Sequence, residues 1–326
     1  MTPSVRSRLM ASGVAFALGF GLANYGVLRI ARPDLWLWIL VAALLMATGV
    51  VGVLLADTTR AISFWAILGL EVFAVFTLVP LLWTFTVATA PSGVTPQTLW
   101  PQDVSWSAFD GALHSDILGR AAGTSVLVSA LATLIAMPLA IPAAYAFVRL
   151  TVKGRRIAYG FVLVALLMPL VALAGPFAGQ LIAFDLYGSR LALVVPALAV
   201  TLPLAIWLSV TVFRDVPWSL GDAVRADGAT RAQQLRLFAA PHLLPGLGVA
   251  TLLVFVAGCN DFVLGSALAP DAQTLPLPAT LLLASGQVDD SSAAIAAAGL
   301  LWILPAVVLL LLFPRRINQL LGRSYR

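Results

Sequence analysis

Few side chains in this 326-residue chain are equipped for covalent or acid–base chemistry. The sole lysine, Lys153, is followed by Gly154, so the Gly-Lys-Ser/Thr loop that cradles a nucleotide phosphate is absent. His114 and His242 stand in separate polar segments, and neither a His-x-x-Glu-His pair nor a Gly-x-Ser-x-Gly nucleophile turn occurs. Cys259 is a single cysteine inside an apolar run, which excludes an intrachain disulfide and a cysteine-cluster metal site. No catalytic group and no metal site are expected. What remains is non-covalent chemistry. Glu71, Gln180, Asn260 and Asp261 interrupt or end apolar runs, where polar groups either line a path for an ion or solute or hydrogen-bond a neighbouring helix. The long polar stretch 213–245 lies between two apolar runs and reads as helix, in the form of an element held beside a membrane and gripped by a partner.

The elements that must position these residues follow from composition. With 61% hydrophobic and 10% charged residues, the chain lies far from a soluble domain, whose charged share is about 25%. It reads as an all-α polytopic membrane protein. At about 20 residues per crossing, eight runs are long enough to span: about 9–30, 35–56, 62–87, 121–149, 158–180, 190–212, 246–269 and 293–313. The third contains Glu71. Its Leu, Ile, Val and Phe residues favour insertion by roughly 5–9 kcal/mol, against about 3 kcal/mol for one central charge, so insertion wins.

Orientation follows from the basic residues beside the spans. Arg149, Lys153, Arg155 and Arg156 carry no accompanying acid, and the tail beyond Phe313 is also basic, so both face the cytosol together with the 213–245 stretch. Residues 88–120 and 270–292 are acidic and face outward, which leaves both termini cytoplasmic; Arg29 and Arg32 run against this scheme. The net charge of +5 is therefore a topology signal, and nucleic acid is not an expected partner. The first run is about 22 residues, longer than the 7–15 of a secretory signal core, and is expected to be a retained helix.

Within 213–245, Pro217 begins a helix-favouring segment and Gly228 relaxes it, giving two short helices. The order Pro217, Asp222-Ala223, Asp227-Gly228-Ala229, Gln233, Pro241, Pro245 resembles the EAA loop of permeases of ATP-binding-cassette (ABC) importers, with Asp222-Ala223-Val224 in place of Glu-Ala-Ala. Other segments resemble the same family: Ala143-Ala144-Tyr145-Ala146-Phe147-Val148-Arg149, Leu202-Pro203-Leu204, Cys259-Asn260-Asp261-Phe262 and Thr274-Leu275-Pro276. Together they are similar to the carbohydrate-uptake branch, and within it to the second permease of maltose and trehalose importers.

The resemblance implies a six-helix core at 61–326, with 1–60 contributing two further helices, and a loop that docks into a separate ATPase. It implies as partners a homologous second permease, two ATP-binding subunits, an extracytoplasmic solute-binding protein, membrane lipids and a sugar, in the plasma (inner) membrane of a bacterium. ATP and magnesium would be used by the ATPase, and none would be bound here. In this reading Asp222 meets a cationic or amide group of the ATPase, and Asn260, Asp261, Gln180 and Glu71 border the solute path. The competing readings are a permease for glycerol phosphate or polyamines, and a secondary transporter acting alone, with Glu71 and Asp261 as coupling-ion sites.

Overall fold

The computed structural model describes residues 14, 64–91, 94, 96, 100–101, 103–151, 153–230, 233–234, 239–271, 273–285 and 292–312. The chain forms two compact units, Met1–Thr84 and Phe85–Arg326. The boundary falls within helix α1, Phe64–Ala88. In the first unit Thr77 and Thr84 donate their hydroxyls to the carbonyls of Phe73 and Pro80, each at 2.8 Å, while Phe73 and Phe76 face outward. Glu71 lies on this helix, but its side chain is outside the described residues, as are the two expected spans at 9–30 and 35–56.

The second unit continues with α2 (Ser107–Leu113), α3 (Asp116–Arg149), α4 (Arg155–Leu166), α5 (Leu170–Ala183), α6 (Val194–Arg214) and α7 (Trp218–Ala226). It is completed by α8 (Ala240–Cys259), α9 (Val263–Leu268), α10 (Leu277–Ser285) and α11 (Ser292–Leu312). Every regular element among the described residues is a helix.

The long helix α3 starts where Ser115 caps it, accepting from the Leu118 amide, with Asp116 in the first turn and Arg149 in the last, where each charge suits the helix dipole. Pro138 and Pro142 lie inside it. Ala132, Ala136, Ala140 and Ala144 recur every four residues along one face and are all fully buried. In lipid, tails are as apolar as leucine, so helices associate through close packing, and a stripe of small side chains permits it. Against the C-terminal half of α3 pack Ala205, Val210 and Phe213 of α6 and Leu247, Ala250 and Val254 of α8. A second cluster joins Val128 and Ala132 of α3 to Val194 and Ala197 of α6, to Leu264 and Leu268 of α9, and to Leu275 and Ala279. Helices α3, α6 and α8 converge at Gly258, where a Cβ would come within 3.1 Å of Ser129 Oγ and 3.3 Å of Thr201 Cγ2. Leu134, opposite the alanine stripe, and Leu139, to one side of it, are exposed, which suits an apolar surrounding.

The eight expected crossings are matched only in part. Among the described residues α3, α6 and α8 are long and apolar enough to cross a membrane, and α4 with α5 makes a fourth if counted as one span. That pair corrects the single straight helix expected at 158–180. It bends by 93° after Leu166, because Pro169 has no amide proton to continue the ladder and disfavours helical geometry at Met168. The run 246–269 is likewise divided, since α8 stops at Cys259 and α9 starts at Val263. The expected outer loop 270–292 is not a plain loop either. It contains α10, whose flank and first turns bury Leu275, Leu277, Ala279 and Thr280.

Candidate functional site

The polar segment between α6 and α8 is built around α7. Its first residue, Trp218, donates Nε1–H to the Phe213 carbonyl at 2.9 Å, which folds α7 back against the end of α6. The Trp218 ring lies 6.2 Å from Phe213 and 6.3 Å from Tyr145 of α3, so three helices share one aromatic cluster. Arg149, the last residue of α3, reaches the same place. Its guanidinium stands 4.8 Å over the Trp218 ring, and its two terminal nitrogens meet the Asp222 carboxylate at 2.6 and 3.3 Å. Beside this joint, Arg214 stacks over Tyr159 of α4 at 5.4 Å, and Tyr159 meets Phe147 of α3 edge-on.

The turn after α7 follows the expected chemistry. Gly228 has φ +98°, a left-handed conformation that glycine adopts without a Cβ penalty, and the Ala229 amide donates to the Val224 carbonyl as in a Schellman ending. Beyond it, the Gln233 side chain accepts from the Thr230 amide at 2.8 Å, while Thr230 Oγ1 accepts from the Gln233 amide at 3.2 Å. This reciprocal capping box starts a new helical turn. Gln234 Nε2 donates to the Gly221 carbonyl at 2.7 Å and closes the segment on itself. The second half differs from expectation at its far end, because Pro241 and Pro245 belong to α8, which starts at Ala240. Pro241 suits the first turn, where no amide is needed.

Asp222, Ala223, Asp227, Gly228, Gln233 and Pro241 are all exposed, and Ala229 is half-buried. Asp222, expected to meet a cationic or amide group of the ATPase, is paired within its own chain by Arg149 while remaining exposed. The pairing follows from geometry: the end of α3 and the first turns of α7 share the aromatic cluster, which brings the guanidinium into reach. Arg149 and Trp218 have no local signal that marks them as partners. The Thr230-x-x-Gln233 pattern, in contrast, is a recognisable capping box.

The candidates for a solute path are less coherent. Asn260 is exposed, and its amide donates to the Val256 carbonyl at 2.9 Å. Asp261 accepts from the Leu264 amide at 3.2 Å and thereby caps the start of α9. With Ser125, Ser129 and Gly258 it also borders a cavity of about 20 Å³, room for about one water. Gln180 is exposed on α5 and makes no hydrogen bond to either residue among the described ones, while Glu71 belongs to the other compact unit. A wider groove of about 520 Å³ runs between α3 and α8, lined by Thr133, Met137, Thr251 and Phe255 among others. Among the described residues no group of three His, Cys, Asp or Glu side chains gathers as a metal site would require.

Comparison with known proteins agrees with this architecture. Residues 136–323 match the family model described as the binding-protein-dependent transport system inner membrane component. The chain is 33% identical over 261 residues to the trehalose transport system permease protein SugB of Mycobacterium tuberculosis, covering 79% of this chain and 95% of that one. It is 28% identical over 261 residues to the trehalose/maltose transport system permease protein MalG of Thermococcus litoralis, covering 77% and 92%. Among solved structures, a bacterial ABC transporter that imports the acidic polysaccharide alginate superposes with TM-score 0.58 at 19% identity, over 79% of this chain and 99% of that chain, a likeness of fold. The chain belongs to the family of binding-protein-dependent transport inner membrane components, the permease subunits of ABC importers.

Proposed function

We propose that this permease carries a sugar, of the di- or oligosaccharide class, across the plasma membrane by alternating access, driven by ATP hydrolysis in separate subunits. The observation that carries the coupling half of this reading is α7. It is a short helix between two long apolar ones, with Ala223 exposed, Asp227 and Gly228 exposed just beyond its end, and Trp218 and Asp222 held to α3. The sugar half rests on the relatives, whose names specify trehalose and maltose.

In this reading Asp222, Ala223, Asp227, Gly228, Ala229, Gln233 and Pro241 shape the surface that enters a groove of the ATPase, and ATP with magnesium is bound there. A homologous second permease completes the pathway, two ATPase subunits lie below, and a solute-binding protein delivers sugar from outside. Both termini are cytoplasmic, and residues 1–60 contribute two further helices. Asn260, Asp261, Gln180 and Glu71 are candidates for solute contact.

The test co-expresses the chain with its partners and compares wild type with Ala223→Trp. Ala223 is exposed, so a large ring there leaves this chain's own packing intact and obstructs a docked subunit. The expected result is loss of ATPase co-purification and of trehalose or maltose uptake, with unchanged membrane insertion. Full uptake by the variant, or uptake by the purified chain alone on an ion gradient, overturns the reading.

A further inference from the structure

We propose that Arg149 is a positioning residue for energy coupling, a clasp that fixes both the place and the rotation of α7 by holding two of its side chains at once. The proposal rests on the reading of α7 as the ATPase-docking helix and assigns the residue that orients it. Trp218 and Asp222 are four residues apart on α7 and therefore share one face, one turn from each other. Tyr145 and Arg149 are spaced in the same way on α3. The two pairs meet. Tyr145 lies edge-on to Trp218 with centroids 6.3 Å apart, and Arg149 covers the same ring at 4.8 Å while forking onto the Asp222 carboxylate.

A single ion pair at a wet surface leaves a helix free to roll about the contact. Contacts one turn apart remove that freedom, and the Trp218 bond to Phe213 prevents sliding along the axis. With this face held, Ala223 is left outward, and Asp227 and Gly228 just beyond the helix end are exposed as well. A guanidinium suits the role because its planar fork binds a carboxylate and stacks on an indole together, which a lysine ammonium cannot do. The clasp also revises the role of Asp222. Its charge acts first on the posture of α7 within its own chain.

The experiment uses the full importer in lipid, with spin labels on cysteines introduced at the exposed positions Ala130 of α3 and Ser219 of α7, neither of them assigned to the docking surface, beside a native Cys259 that is buried. Wild type should give one narrow distance. Arg149→Gln and Asp222→Asn should each broaden it about twofold, Arg149→Lys should fall between, and the exchanged pair Arg149→Asp with Asp222→Arg should recover part of the narrowing, since it restores the ion pair without the stack of residue 149 on Trp218. In the same samples, sugar moved per ATP hydrolysed should fall about tenfold in each single variant, and the double loss should be less than the product of the two. If Arg149→Gln fails to assemble, Asp222→Asn, at an exposed site, carries the measurement. An unchanged distance in both single variants, or broadening that the exchanged pair does not relieve, overturns the clasp. Broadening with unchanged transport per ATP leaves the clasp standing and contradicts the role given to α7.

Discussion

At its C-terminal end α3 is joined to α7 by an ion pair and stacked rings that water reaches, with Asp222 exposed and Arg149 partly so. Near its N-terminal end the same helix is joined to α10 by one buried hydrogen bond, from the Leu277 amide to Ser125 Oγ at 2.8 Å, beside Pro276 packed on Gly265. The two joints lie about 36 Å apart at 1.5 Å per residue. The difference teaches where each kind of force is effective. Water screens the charged joint, so it needs several weak contacts in concert. At the buried joint a single hydrogen bond carries the polar contact, and losing it leaves a buried amide without its side-chain partner.

The largest effect should come from crowding the buried joint. A Cβ on Gly265 would stand 2.7 Å from the Pro276 ring, which cannot rotate away, so Gly265→Leu should destabilise the protein by about 3 kcal/mol, seen as a lower thermal midpoint of the purified complex. An unchanged midpoint would mean that α9 and α10 are less closely packed than the comparison requires. Next is Ser125→Ala, which strands the buried Leu277 amide. A loss of about 2 kcal/mol is expected by the same measurement, and it should not change with added salt, in contrast to changes at Arg149. The smallest effect is expected at Thr133, whose hydroxyl is buried with no hydrogen-bond partner among the described residues. Thr133→Val should shift stability by less than about 0.5 kcal/mol, and a large loss would show that its hydroxyl has a partner when the importer is assembled.

Much of this was legible in the residues themselves. The apolar runs at 121–149 and 190–212 became α3 and α6 because unbroken hydrophobicity over a membrane-spanning length leaves a helix few alternatives. The α7 turn was legible because Gly228 supplies a conformation that other residues avoid. Pro169 marks the break between α4 and α5, yet overall hydrophobicity hides it, as hydropathy counts length and not direction. For 270–292 the acids Asp271, Asp289 and Asp290 suggested a solvent loop, while Leu275, Leu277 and Leu281 between them pack inward. The pairing of Arg149 with Asp222 joins residues 73 positions apart and has no local pattern to reveal it. The solute-path candidates were the least legible, because a polar side chain near a helix end serves a cap as readily as a ligand, as Asp261 does for Leu264.

Pro138 and Pro142 fall between the two joints of α3. Each lacks the amide that would bond one turn back, so the helix loses two rungs of its ladder within a single turn and is softest there. The arm bearing Tyr145 and Arg149 is tied to α7 and the arm bearing Ser125 to α10, so a force applied between the two joints would act on the stretch of α3 that has the fewest bonds to break.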